Sequence, residues 1–131
     1  MTAKILLVED NANNRYLAQF LLERAGFTVV TASDGQKALE IVAEARPDLI
    51  LLDIQMPAMD GYETAARLKR DPASAAVPVV GVSSFAMPGD RERALRSGFA
   101  GYIEKPINPE TFAEEIGSFL GRGADEGPQR R

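Results

Sequence analysis

Glu9 and Asp10 close one short apolar run, Lys4-Ile5-Leu6-Leu7-Val8, and Asp53 closes another, Asp48-Leu49-Ile50-Leu51-Leu52. Runs of this length, apolar nearly throughout, read as buried strands. If the two strands are parallel neighbours, three carboxylates converge at one end of a sheet. Like charges that close resist ionising together. A bound divalent cation relieves them, and hard oxygen ligands suit Mg²⁺. A carboxylate held beside such an ion can also act as a nucleophile toward phosphorus.

The elements that must position these groups alternate along the chain. Strands are expected at 4–9, 27–32, 48–53, 77–82 and 100–104. Between them lie amphipathic patterns. The first helix runs from about Asn13 to Ala25, with Tyr16 or Leu17, Phe20, Leu21 and Leu22 on one side and Gly26 as a left-handed stop. The second runs from Asp34, as N-cap, to Ala45, with Ala38, Leu39, Ile41 and Val42 inward. The third spans about Gly61 to Lys69, opened by Gly61 with Asp60 a candidate cap, and the fourth about Asp90 to Ser97, stopped by Gly98. The fifth is the best signalled, with Asn108 as cap, Pro109 at the first helical position and a stripe of Phe112, Ile116, Phe119 and Leu120. Pro78 is expected just inside the start of the fourth strand, where a missing donor is tolerable. Alternation of this kind gives an α/β class with parallel strands and helices on both faces. It leaves the strand order open.

The 131 residues suffice for one domain with a single core, expected over 1–120, with the Gly-rich, aperiodic stretch 121–131 as a polar tail. With 45% hydrophobic and 26% charged residues, the composition is that of a soluble globular chain. No apolar stretch is long enough to span a membrane and no leader is evident, so membrane insertion and secretion are not expected and a cytoplasmic location fits. The net charge of −4 argues against a nucleic-acid surface. Cysteine and histidine are both absent, which excludes disulfides, thiolate or imidazole metal sites, Ser–His or Cys–His nucleophiles and a phosphohistidine within this chain.

Four motifs then fall in order: Val8-Glu9-Asp10-Asn11; Leu51-Leu52-Asp53-Ile54-Gln55-Met56-Pro57 with Asp60-Gly61; Val82-Ser83; and Lys105-Pro106. Together they resemble the receiver domain of two-component response regulators over residues 4 to about 120. The stretch Ser83-Ser84-Phe85-Ala86-Met87 before Gly89-Asp90 is similar to stand-alone receivers of the DivK type. The resemblance implies a flavodoxin-like (βα)₅ fold with strand order 2-1-3-4-5, which sets the first and third strands side by side. It implies that Asp53 is the phosphoacceptor and that Mg²⁺, or Mn²⁺ in its place, is held by Asp10, Asp53 and the backbone carbonyl of Gln55, with Glu9 acting through a water. Lys105 would pair with the phosphoryl oxygens as a point charge. Pro106 would follow a cis peptide bond, Ser83 would be the switch hydroxyl, and Tyr102 the aromatic switch that turns inward when Ser83 moves. Ser84 departs from the small apolar residue, commonly Ala, of many receivers.

The implied function is a signalling switch in a two-component or phosphorelay system, not an enzyme beyond its own phosphorylation and dephosphorylation. Its donor would be a separate histidine kinase or histidine phosphotransfer protein, docked on helix 1 at Asn14, Arg15 and Ala18. With no output domain expected after residue 120, the signal would leave through a protein partner on the face formed by helix 4, strand 5 and helix 5. Phe85, Met87, Pro88, Phe99 and Ile107 could form an apolar patch there, or be ordinary core and scattered surface residues. Tyr102 could instead be simply a half-buried core aromatic with its hydroxyl at the surface, the less favoured reading. A degenerate receiver that only docks is one alternative. A phosphatase of the haloacid dehalogenase type is another, disfavoured because Gln55 stands where a proton-donating acid is needed. The turn Glu9-Asp10-Asn11-Ala12-Asn13-Asn14 lacks the glycines of a dinucleotide cradle.

Overall fold

The computed structural model describes residues 2–56, 59–84 and 87–120. The expectations for Pro57, for Phe85 and for the tail 121–131 lie outside the described residues. In chain order the elements are β1 (Lys4–Val8), α1 (Ala12–Arg24), β2 (Thr28–Ala32), α2 (Gly35–Ala45), β3 (Leu49–Asp53), α3 (Gly61–Arg70), β4 (Val79–Ser83), α4 (Asp90–Arg96), β5 (Gly101–Glu104) and α5 (Phe112–Phe119). The strands form one parallel sheet in the order β2-β1-β3-β4-β5. This is the flavodoxin-like arrangement, and β1 and β3 are neighbours in it.

β3 and β4 are buried along their whole length, and β1 is buried after Lys4. The reason is that helices cover both faces of the sheet. Leu6, Val8, Ile50 and Leu52 point to one side, where Ala38 and Val42 of α2, Ala65 and Leu68 of α3 and Ala94 of α4 meet them. Ile5, Leu7, Leu49, Leu51, Val80 and Val82 point to the other, against Ala18 and Leu22 of α1 and Phe112 and Ile116 of α5. This period-2 alternation decides which side chains can meet beyond the strand ends.

Local signals fix most helix ends. Asn11, Asp34 and Asp60 each accept from the backbone N–H three residues on, at 2.9, 2.8 and 2.9 Å. Gly26 and Gly98 close α1 and α4 with φ of 105° and 101°. Three expectations need correction. α5 begins at Phe112, later than the Asn108–Pro109 signal predicted. Asn108 does cap, but it caps a separate turn: its Oδ1 accepts from Glu110 N at 2.9 Å, and its carbonyl accepts from Thr111 N and Phe112 N. β4 begins after Pro78 and includes Ser83. On α1, Tyr16, Leu17 and Phe20 are exposed, while Ala18 and Leu22 are buried. With apolar residues at 16, 17, 18, 20, 21 and 22, two overlapping stripes compete, and the small Ala18 is the one that lets α1 approach the sheet.

Gly61 sets the distance between α3 and the end of β3. A Cβ there would lie 2.5 Å from Cα of Ile54 and 2.9 Å from the carbonyl oxygen of Asp53. Its N–H donates to the Ile54 carbonyl at 2.9 Å, which holds α3 tight against β3. Gly61→Ala should therefore cost about 1–3 kcal/mol, as overpacking against backbone does. The urea midpoint checks this, and an unchanged midpoint would mean that the loop yields freely.

Candidate functional site: an acidic cup at the carboxyl edge

The register carries the chemical groups to one edge. Val8 pairs with Leu52, and Asp53 with Val82, so Glu9 and Asp10 emerge beside Asp53. Ser83 pairs with Glu104, and Lys105 N donates to the Ser83 carbonyl at 2.8 Å. By strand alternation Glu9, Asp53 and Lys105 lean toward the α1/α5 side, while Ser83 and Tyr102 belong to the other side.

One carboxylate oxygen each from Glu9, Asp10 and Asp53 lies within 4.8 Å of the other two. Glu9 and Asp53 are only 5% and 4% exposed, so water screens them poorly; Asp10 is exposed. Lys105 Nζ lies 3.1 Å from Glu9 Oε1 and 3.6 Å from Asp53 Oδ2. Backbone donors add to this: Asn11 N to Glu9 Oε2 and Gln55 N to Asp53 Oδ1, both at 3.2 Å. Arg15 Nη1 donates to the Glu9 carbonyl at 2.8 Å and so pins the turn after β1 to α1.

Burial, then the neighbouring Glu9 carboxylate, push the Asp53 carboxyl up to about 7, against the pull of Lys105 in the other direction. One ammonium does not balance the cup. An all-oxygen donor set of carboxylates carrying surplus negative charge fits a hard divalent cation such as Mg²⁺. A cavity of about 390 Å³ opens over the cup, lined by the polar residues Glu9, Asp53, Ser84 and Lys105 and by the apolar residues Leu17, Ala18 and Phe112.

The family model of the response regulator receiver domain matches residues 5–117. The chain belongs to this receiver family. It is 42% identical to the polar-differentiation response regulators DivK of Brucella ovis and Brucella melitensis over 121 residues, 92% of this chain and 98% of each relative. Its fold superposes on the chemotaxis response regulator CheY4 of Vibrio cholerae with a TM-score of 0.85 at 31% identity, covering 92% of this chain and all of that one (100%). It also superposes on the receiver domain of a sensor histidine kinase from Pseudomonas aeruginosa, with a TM-score of 0.79 at 31% identity, covering 94% of this chain and 98% of that one. That structure holds a magnesium ion coordinated in its active-site cleft. Receivers are signalling modules rather than classical enzymes, and this one is DivK-like. Among the described residues no helix is long and apolar enough to cross a membrane.

The receiver's sequence-predicted residues do not all sit as expected. The Lys105–Pro106 bond is cis. Tyr102 is already turned inward at 3% exposure, and its hydroxyl is buried with no hydrogen-bond partner among the described residues, so it is not at the surface. The guanidinium of Arg91 lies 5.5 Å from its ring centroid and covers it from α4. Phe99 is core, its ring tilted at 53° to that of Tyr62 with centroids 5.6 Å apart, and Ile107 is half-buried in the α1/α5 cluster, so neither belongs to an exposed patch; Met87 and Pro88 are exposed. Ala18 is buried and lines the cavity. Two contacts had no sequence signal: the Arg15 bond to Glu9, and the Gln55 side chain, which bonds Ser83 and Ser84 across 28 and 29 residues. Such bonds depend on which loops the topology brings together.

Proposed function

We propose that this receiver is a single-domain response regulator in which Asp53 takes a phosphoryl group from a phosphohistidine on a histidine kinase or histidine phosphotransfer protein. The observation that carries this reading is Lys105 Nζ set 3.1 Å from Glu9 and 3.6 Å from Asp53 at the mouth of the cavity. Glu9 and Asp53 are both buried, both beside Lys105 and both at the cavity; Asp53 is taken as the acceptor because it holds the phosphoacceptor position of the receiver motif Leu51-Leu52-Asp53. Its oxygen attacks phosphorus in line, the P–N bond to the donor imidazole breaks, and the electron pair returns to that nitrogen. Lys105 neutralises the phosphoryl oxygens. Ser83 donates its hydroxyl to one of them. Asp10, Asp53 and the Gln55 carbonyl would hold Mg²⁺ (Mn²⁺ would also serve), with Glu9 acting through a water. When bound, the ion supplies charge neutralisation between the carboxylates and the phosphoryl group.

The donor approaches over α1, where Asn14 and Leu17 line the cavity and Tyr16, Leu17 and Phe20 present apolar surface. Asn14 and Arg15 are the proposed docking residues at this rim, together with Ala18, which lines the cavity. Output passes to a protein partner on α4, β5 and α5, the face beneath which Tyr102 lies and on which Arg91 is exposed. Such relay chemistry belongs in the cytoplasm.

The test is acyl-phosphate labelling read by intact-protein mass spectrometry. One phosphoryl adduct is expected with Mg²⁺, formed at least about tenfold more slowly in EDTA. No adduct, or an adduct indifferent to metal, would refute the reading.

A further inference from the structure

The side chain of Gln55 spans from the loop after β3 to the end of β4. Its Nε2 donates to Ser83 Oγ at 2.7 Å, and its Oε1 accepts from the backbone N–H of Ser84 at 2.9 Å. The second bond fixes the first. A backbone N–H can only donate, so the carboxamide oxygen faces Ser84 and its nitrogen must face Ser83. The residues so held stand beside the acceptor carboxylate. Ser83 follows Val82, the register partner of Asp53, and Ser84 lines the cavity together with Asp53 and Lys105. Gln55 also donates its own N–H to Asp53 Oδ1 at 3.2 Å. One residue therefore touches Asp53 through its backbone and the end of β4 through its side chain.

We infer that the Gln55 carboxamide is a strap that holds Ser83 and Ser84 in the unphosphorylated arrangement and competes with a phosphoryl oxygen for the Ser84 N–H. This rests on the acceptor role proposed for Asp53. Gln55 is a positioning residue: it exchanges no atoms with the phosphoryl group. A phosphoryl group on Asp53 brings anionic oxygens, stronger acceptors than a neutral amide oxygen. The Ser84 N–H then turns to the phosphoryl group, and the carboxamide is released toward water. Breaking the strap is part of the free-energy difference between the two states, so Gln55 biases the receiver toward its resting form. It also makes the loops after β3 and β4 move as one.

Beryllofluoride binding to the full chain in Mg²⁺, followed by amide NMR, tests this. Gln55→Met keeps the length of the side chain and removes its hydrogen bonds. The variant should bind about five- to tenfold more tightly, the net worth of one neutral hydrogen bond. Its ligand-free Ser84 amide should exchange with solvent faster than in the wild type. Equal or weaker binding by Gln55→Met, beside normal binding by the wild type, overturns the strap alone. Failure of the wild type to bind, or undiminished binding by Asp53→Asn, refutes the acceptor role and takes the strap with it.

Discussion

Asp53→Asn should abolish phosphoryl incorporation and, in the same molecule, raise the stability of the fold. A carboxamide oxygen is no nucleophile toward phosphorus, so the labelling adduct should vanish under conditions that label the wild type fully. The stability gain follows from the raised pKa of Asp53. In the folded receiver the Asp53 carboxyl sits at about 7 rather than 3.8, because burial and Glu9 disfavour its charge. Folded protein then holds this proton more tightly than unfolded protein does. Between pH 4 and pH 7 the unfolded chain loses it first, so stability falls as pH rises, and the loss is complete above about 7. At about 1.36 kcal/mol per unit the upper limit is ~4 kcal/mol, and relaxation of the surrounding loops should bring the gain nearer to about 2. Asn carries no charge and escapes the penalty, while Lys105 keeps its Glu9 partner at 3.1 Å. In metal-free buffer at pH 8 the variant should melt several degrees higher than the wild type, and the difference should shrink markedly at pH 5. A variant less stable than the wild type at pH 8 would show that the cup tolerates the Asp53 charge.

How the site could be foreseen from the chain depends on which residues carry it. β1 and β3 are apolar almost throughout, so Glu9, Asp10 and Asp53 stand out at their carboxyl ends, whereas Ser83 and Lys105 are legible only through the receiver motifs. A charge that ends a buried run marks where the strand leaves the sheet. Helix caps were legible where a side chain acts on its own backbone, as Asp34 and Asp60 do. α5 misled for the same local reason: Asn108 and Pro109 open a turn just as well as they open a helix, and the packing of Phe112 decides where the helix begins. α1 misled because its six apolar residues admit two faces, and only contact with β1 and α5 chooses between them. The Gln55 strap was invisible. A glutamine in a loop carries no sign of its reach, and its partners lie 28 and 29 residues away. Local chemistry and strand alternation can be read along the chain, whereas bonds between loops exist only after the sheet order is set.

Mg²⁺ affinity should fall steeply as pH drops below about 7. An ion seated between Glu9, Asp10 and Asp53 needs Asp53 ionised, and without metal that carboxyl is half protonated at about pH 7. Above that pH no proton has to leave, and the affinity should be flat. Below it each pH unit should weaken binding up to about tenfold, so pH 5 should bind roughly 100-fold more weakly than pH 8. The linkage runs both ways: adding Mg²⁺ near pH 6.5 should release protons, measurable by calorimetry in buffers of different ionisation enthalpy. Lys105 sets the position of the break. Its ammonium, 3.6 Å from Asp53 Oδ2, pulls the carboxyl downward, so Lys105→Met should move the inflection to higher pH. A break that stays in place in Lys105→Met, or an affinity independent of pH from 5 to 8, would mean that the proton and the cation do not compete for the same carboxylate.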